Sequence, residues 1–142
     1  MQTIEYISKT AEETEQIAIE YAKTLKKGDI IALYGDLGVG KTVFARGILK
    51  GLGYFGIVNS PTFTIVNEYR IDGIVVAHFD MYRVDDEDSL ETAGYYDYIS
   101  TKAYMIIEWG ERIEDALNDE TIRVYIEGYD KEQRKIKIKQ GS

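Results

Sequence analysis

Apolar residues recur along this chain at two spacings, and the switch between them predicts the order of its elements. Between Thr10 and Lys27, the residues Ala11, Ile17, Ala18, Tyr21, Ala22 and Leu25 return every three or four positions, the stripe of an amphipathic helix. Thr10, followed three residues later by Glu13, reads as a capping box at its start, and Gly28 as its stop. Asp29 to Tyr34 is a short apolar run that predicts a buried strand; a second helix then runs from Thr42 to around Gly51 and Gly53. Phe63 to Ile71 and Ile74 to Tyr82 read as strands joined at Asp72-Gly73, a strong hairpin signal. Alternation along the second of these puts His78, Asp80 and Tyr82 on one side. Asp85 to Ser100 reads as one or two short helices, Ala103 to Glu108 as a buried strand and Arg112 to Leu117 as a short helix. Thr121 to Gly128 and Arg134 to Lys139 alternate as strands of a closing hairpin that turns near Asp130.

Helices interleaved with buried strands predict an α/β chain with helices on both faces of a largely parallel sheet. The expected architecture is a P-loop NTPase-like three-layer sandwich, with a largely parallel central sheet and an antiparallel hairpin portion. Ligands on such sheets sit at the carboxyl ends of the strands, where Thr42, Asp80 and Glu108 all fall.

The 142 residues suit a single domain, residues 1–142, able to bury about two-thirds of its unfolded surface. No apolar run approaches the length that spans a bilayer, and Met1 to Tyr6 lacks the basic start and apolar core of a signal peptide. With no cysteine, disulfides and thiolate metal sites are excluded, and the expected location is the cytoplasm. A net charge of −8 argues against autonomous binding to nucleic acid, where affinity comes largely from cations on phosphates. From Asp85 to Glu120, twelve acids face two bases, while Lys131 to Ser142 holds five bases and one acid. Either these are a solvated acidic face and a solvated basic strand, or the basic end faces a phosphate or a protein partner.

Candidate chemistry concentrates between Ile30 and Leu49. The order is strand, then Gly35-Asp36-Leu37-Gly38-Val39-Gly40-Lys41-Thr42, then a helix that continues through Val43, and a P-loop requires that order. Glycines let successive backbone N–H groups converge on one anion-sized hollow, and the helix start adds its positive dipole end. Lys41 can reach the β- and γ-phosphates of a nucleotide, and the Thr42 hydroxyl can ligate Mg²⁺. Asp80 closes a strand, either as a magnesium-side carboxylate or as an acid of the strand-end turn. Glu108 follows Tyr104-Met105-Ile106-Ile107, where it either caps the next helix or serves the site as a second metal-side carboxylate or water-orienting base. Thr62 and Thr64, beside the only proline, Pro61, either sense the γ-phosphate or are structural. His78, the sole histidine, reads as a packed strand residue, and Trp109 as core or as a lid over the site.

Four segments in order carry a resemblance that spans nearly the whole chain. They are the loop above, Ser60-Pro61-Thr62-Phe63-Thr64, His78-Phe79-Asp80-Met81-Tyr82-Arg83 and Glu108-Trp109-Gly110-Glu111-Arg112. Together they resemble TsaE, the bacterial ATPase family formerly called YjeE. That resemblance implies an ATPase needed for threonylcarbamoyladenosine at position 37 of tRNAs reading codons that begin with A. It implies protein partners, TsaD and TsaB, whose complex is reset by ATP hydrolysis, with tRNA met only indirectly and no membrane involved. Carried onto these residues, Gly38 to Thr42 hold the phosphates of ATP or ADP, Thr42 and Glu108 the Mg²⁺, and Asp80 the metal-bound or attacking water. Thr10 and Arg134 lie near base and ribose, and Trp109 flanks the site. The expected nucleotide-binding set is therefore Thr10, Gly35 to Val43, Trp109 and Arg134, with Lys41, Asp80 and Glu108 catalytic and Thr42, Asp80 and Glu108 on the metal.

Three rival readings stand beside it. A small-molecule kinase would use the scattered Arg46, Arg70, Arg83 and Arg112; a GTPase would need an Asn-Lys-x-Asp segment, which is missing; a nucleotide-gated binding module would use ATP only to fix its shape.

Overall fold

The computed structural model describes residues 2–36, 38–59, 65–82, 87–128 and 133–141. The strands are β1 (Gln2–Ser8), β2 (Ile30–Tyr34), β3 (Val66–Ile71), β4 (Ile74–Asp80), β5 (Tyr104–Glu108), β6 (Ile122–Gly128) and β7 (Arg134–Gln140). The helices are α1 (Ala11–Ala22), α2 (Lys41–Gly51), α3 (Glu87–Thr92) and α4 (Tyr95–Ser100), with a 3-10 helix at Gly110–Ala116. All seven strands form one sheet in the order β1-β7-β6-β2-β5-β4-β3. The central four, β6-β2-β5-β4, are parallel, while β3 and the β7-β1 pair flank them antiparallel. The expected α/β layering is present, with both expected hairpins, β3-β4 and β6-β7, paired antiparallel.

Alternation decides which layer each side chain enters. Ile31, Leu33, Val76 and Ile106 point to the face covered by α1 and α2, joined there by Phe44, Ile48 and Leu49. Ala77, Phe79, Met105 and Ile107 point to the opposite face, under Leu90, Tyr95 and Ile113. Tyr95 to Tyr98, which sequence alone left without a role, belongs to that second layer. Tyr95 and Tyr98 both stack edge-on against Phe79, and the Tyr98 hydroxyl donates to Glu68 at 2.7 Å.

The two helices on the first face cross closely because small residues meet. A Cβ on Gly47 would lie 2.5 Å from both the Ala18 Cβ and the Glu15 carbonyl oxygen. Gly51 meets Ala22 and Ile19 at the same spacing one turn later. Gly47→Ala sets two effects against each other: alanine favours a helix by about 1 kcal/mol, but overpacking costs about 1–3 kcal/mol or more. The contact here includes rigid backbone, so the clash wins. The expected result is a fall in melting temperature of about 3–8 °C, read by thermal unfolding; a rise would show that the crossing can yield.

Polar contacts tie the same two helices. Glu15 accepts from Arg46 Nε at 2.7 Å and from Lys50 Nζ. Burial pushes its carboxyl up, yet the Lys50 and Arg46 hydrogen bonds outweigh that, and the pKa falls below the ordinary 4.5. A carboxyl whose folded pKa is depressed stabilises above its unfolded pKa, and that contribution fades as pH falls through the folded value. Glu15→Gln should therefore unfold at a lower temperature than the unaltered protein at pH 7, with the gap closing below about pH 4. A gap that persists unchanged at pH 3 would contradict this.

Sequence reading differs from the structure in three places. The strand β1 was not read from the alternation at the N-terminus; it pairs antiparallel with β7 from Gln2↔Gln140 to Ser8↔Arg134. Helix α1 ends at Ala22, and Gly28, with φ +92°, lies in the following turn rather than stopping the helix. Thr10 caps α1 through the Glu13 N–H as expected, but the Glu13 carboxylate accepts from Lys9 N–H at 3.3 Å instead of closing the box on Thr10. The Asp72-Gly73 turn has φ of 43° and 85°, the two left-handed residues a type I′ hairpin requires. Ser60 to Thr64, including the Thr62 and Thr64 readings, and the turn near Asp130 lie outside the described residues, as do Leu37, Arg83, Asp85 and Asp86. No described helix is long and apolar enough to cross a membrane.

Candidate functional site

The carboxyl ends of β2, β4 and β5 lie side by side, and the register sets Glu108 opposite both Leu33 and Asp80. Between β2 and α2 runs the glycine loop. Gly35 sits where a Cβ would meet the Ile126 carbonyl oxygen at 2.5 Å, so only glycine lets the chain turn off the strand this close to β6. Gly40 is the N-cap of α2 with φ +110°, a conformation that L side chains rarely adopt, and its N–H and those after it open the helix. Lys41 begins the helix proper, followed by Thr42 and Val43.

Lys41 is 5% exposed. Its Nζ donates to the Gly35 carbonyl, approaches the Asp36 carbonyl at 3.4 Å and lies 3.4 Å from the centre of the Trp109 ring. Burial lowers its pKa, opposed by the negative charges of Glu111, Glu108, Asp80 and Asp36. The lysine is thus a desolvated cation ringed by acids and held by carbonyls, at the place where the loop hollow opens. Trp109 follows β5 directly with φ 62° and ψ 47°, left-handed and strained for a bulky residue by on the order of 1–2 kcal/mol. That turn swings its ring over Lys41 and against Tyr82, 4.8 Å between centroids. Of the two sequence readings, core or cover, Trp109 fits both, since it also packs against the second core layer.

Thr42 Oγ1 donates to Glu108, 3.2 Å from Oε1 and 3.3 Å from Oε2. Glu108 is 3% exposed and does not cap the next helix, whose N-cap is Trp109 with no side-chain cap hydrogen bond. Asp80 stands beside it on the next strand end, its Oδ1 accepting from the Tyr82 N–H at 2.9 Å. A hydroxyl and two carboxylates are hard oxygen donors, the set that suits Mg²⁺. Among the described residues no group of three or more His, Cys, Asp or Glu gathers to hold a metal by itself. Beyond the loop, a cleft of about 370 Å³ opens between α1 and β7, lined by Thr10, Gly38, Val39, Gly40, Val43 and Arg134. Arg134 closes it by donating from Nε to the Val39 carbonyl at 3.0 Å. Two other basic residues of β7 face neighbours instead: Lys137 pairs with Glu5 at 3.6 Å and Lys139 lies over Tyr125.

The family model described as threonylcarbamoyl adenosine biosynthesis protein TsaE matches residues 8–136 of this chain. The chain belongs to the TsaE family. A relative from Bacillus subtilis, named tRNA threonylcarbamoyladenosine biosynthesis protein TsaE, is 38% identical over 96% of this chain and 85% of its own length. The Aquifex aeolicus protein of that name is 38% identical, with 94% of each chain covered. A third, from Haemophilus influenzae, is 45% identical over 74% of this chain and 66% of its own length. The crystal structure of Bacillus subtilis YdiB superposes with a TM-score of 0.82 and 32% identity, covering 99% of this chain and 87% of that one. The TsaE family is thus the frame for every residue above, and its members take part in threonylcarbamoyladenosine biosynthesis on tRNA.

Within this TsaE-family chain, the described residues singled out from sequence gather in two adjoining places. Gly35, Asp36, Lys41, Thr42, Asp80, Glu108 and Trp109 surround the mouth of the loop, and Thr10, Gly38, Val39, Gly40, Val43 and Arg134 surround the cleft beside it. Sequence reasoning underrated one residue. His78 is packed in its strand, as expected, but it also contacts Glu108 at 2.6 Å. Its place two residues before Asp80 on the same face was the available signal.

Proposed function

We propose that this TsaE-family protein is the ATP-hydrolysing member of the machinery that builds threonylcarbamoyladenosine in tRNA, serving TsaB and TsaD as protein partners. The observation that carries the reading is the Thr42 hydroxyl held against Glu108 beside the buried cation of Lys41, at the mouth of a glycine loop that opens a helix. Loop amides and Lys41 bind the phosphate tail, as a hollow of N–H groups with one mobile cation does. Thr42 and Glu108 are the donors for Mg²⁺, with Asp80 beside them. When bound, the ion neutralises charge that develops on the transferred phosphoryl group. Asp80 or Glu108 orients the attacking water and takes up its proton, and ADP and phosphate leave. Thr10, Val39, Val43 and Arg134 offer the adjoining cleft to the nucleoside end. Trp109 shields Lys41 from solvent.

Slow hydrolysis by the isolated protein follows from its arginines. Among the described residues, Arg46, Arg70 and Arg123 each pair with a glutamate, at Glu15, Glu68 and Glu114, while Arg112 lies over the Tyr82 ring and Arg134 donates to the Val39 carbonyl in the adjoining cleft. A guanidinium engaged in this way does not meet the transferred phosphoryl group, a contact that accelerates many such reactions by about 10³ or more. The net charge of −8 also fits a protein that meets tRNA only through partners. The test is phosphate release from ATP with and without TsaB and TsaD. The expected result is slow release alone and release at least about tenfold faster in the complex; no release under either condition, or phosphate transferred to a metabolite, would overturn the reading.

A further inference from the structure

Among the described residues, His78 is a fully buried ionisable side chain beside the site for which the mechanism above has no use. It lies on β4, 0% exposed, with Nε2 2.6 Å from Glu108 Oε2. Nδ1 is buried and finds no hydrogen-bond partner among the described residues. The protons can be placed by elimination. Thr42 donates its hydroxyl to the same group, and an ionised Glu108 only accepts, so with Glu108 as the carboxylate Nε2 carries the hydrogen in the contact with Oε2. In that tautomer the partnerless Nδ1 is a bare lone pair and not an orphaned donor. The ring therefore has a single polar task within the described structure, and it is directed at Glu108.

The arrangement has a mechanical meaning. A glutamate carboxylate at the end of a strand can swing about three side-chain torsions, and one weak contact at 3.2–3.3 Å to Thr42 does not fix it. A second, shorter and charge-assisted hydrogen bond from the neighbouring strand does. We propose that His78 is a positioning residue, holding Glu108 from the β4 side in the orientation in which its carboxylate meets the Thr42 hydroxyl. It touches neither nucleotide nor metal. Partners that orient a metal-side carboxylate are worth about 10–100-fold in activity when removed. This inference rests on the ATPase reading, and it adds a residue that the P-loop pattern does not include.

Two variants separate positioning from packing. His78→Leu keeps an apolar side chain in a buried place and deletes the donor; His78→Gln retains an N–H able to reach Glu108. Each is assayed for phosphate release in the complex with TsaB and TsaD, and for thermal unfolding alone. The expected result is a kcat about 10–100-fold lower for the Leu variant, a KM for ATP changed less than about threefold, and recovery to within about fivefold of the unaltered protein for the Gln variant. The order of melting temperatures should be the reverse, with Leu at least as stable as Gln, because an amide in an apolar place leaves a polar group short of partners. Positioning is overturned if the Leu variant keeps its kcat within about twofold, or if both activities simply follow the melting temperatures. An unaltered protein that releases no phosphate would instead mark the failure of the ATPase reading, and would leave His78 no reaction to serve.

Discussion

Replacing Lys41 by methionine should lower the affinity for Mg·ATP by about 100-fold or more, the largest effect on nucleotide binding expected of any single change in this protein. Methionine keeps an unbranched stem to lie under Trp109 and removes only the ammonium. In the free protein that ammonium is held by the Gly35 and Asp36 carbonyls and by the Trp109 face, so binding exchanges these contacts for phosphate oxygens. The exchange is favourable because hydrogen bonds between charged partners are worth about 1.5–3 kcal/mol each, and a lysine between two phosphates makes two. A loss of about 3 kcal/mol is a little over a hundredfold in Kd. Burial already lowers the pKa of Lys41, opposed by the negative charges of the surrounding Glu111, Glu108, Asp80 and Asp36. Titration calorimetry of the variant reads the effect, with thermal unfolding as the control for folding. Affinity within about threefold of the unaltered protein would show that Lys41 serves the loop alone.

Glu108→Gln should behave differently, abolishing turnover while sparing binding. The amide keeps the shape of the carboxylate and can still meet both Thr42 and His78, so the local packing survives. What it loses is the charge that draws the metal and orients water. Removal of one such group costs on the order of 10²–10³ in rate, about 3–4 kcal/mol. Nucleotide affinity should fall far less, because the phosphate tail remains held by loop amides and Lys41. Phosphate release in the complex with TsaB and TsaD, beside calorimetry of nucleotide binding, separates the two. Equal losses in both would make Glu108 a binding residue only. Unimpaired release would return it to a structural role at the end of β5.

How much of this could be read along the chain depended on the range of each interaction. Local signals were legible: the Thr10 cap, the Asp72-Gly73 hairpin and the glycine loop before Lys41 each lie within a few residues of what they determine. The apolar runs of β2 and β5 announced buried strands, and the mixed order announced the α/β layering. The strand β1 was harder because its pattern is faint. Ile4 and Tyr6 face the core, but Ile7 is half exposed on the other side, and the alternation blurs. Its partner β7 also stands at the far end of the chain. The premature end of α1 was concealed because Leu25 keeps packing on the core after the helix has stopped. At the site, residue types and spacing pointed to Thr42, Asp80 and Glu108, since a strand end is recognisable in sequence. The His78–Glu108 contact was not, because it joins residues thirty apart across a parallel pairing whose register only the sheet decides.

One physical arrangement underlies all of these expectations: a glycine loop, a desolvated lysine and a hydroxyl braced by a buried carboxylate, meeting where three strands end. Titration calorimetry of ATP against the unaltered protein, with and without Mg²⁺, examines it without any assumption about partners or tRNA. The account predicts saturable uptake of one adenine nucleotide per chain, tightened by Mg²⁺; no uptake of ATP or ADP in the presence of the metal would contradict it.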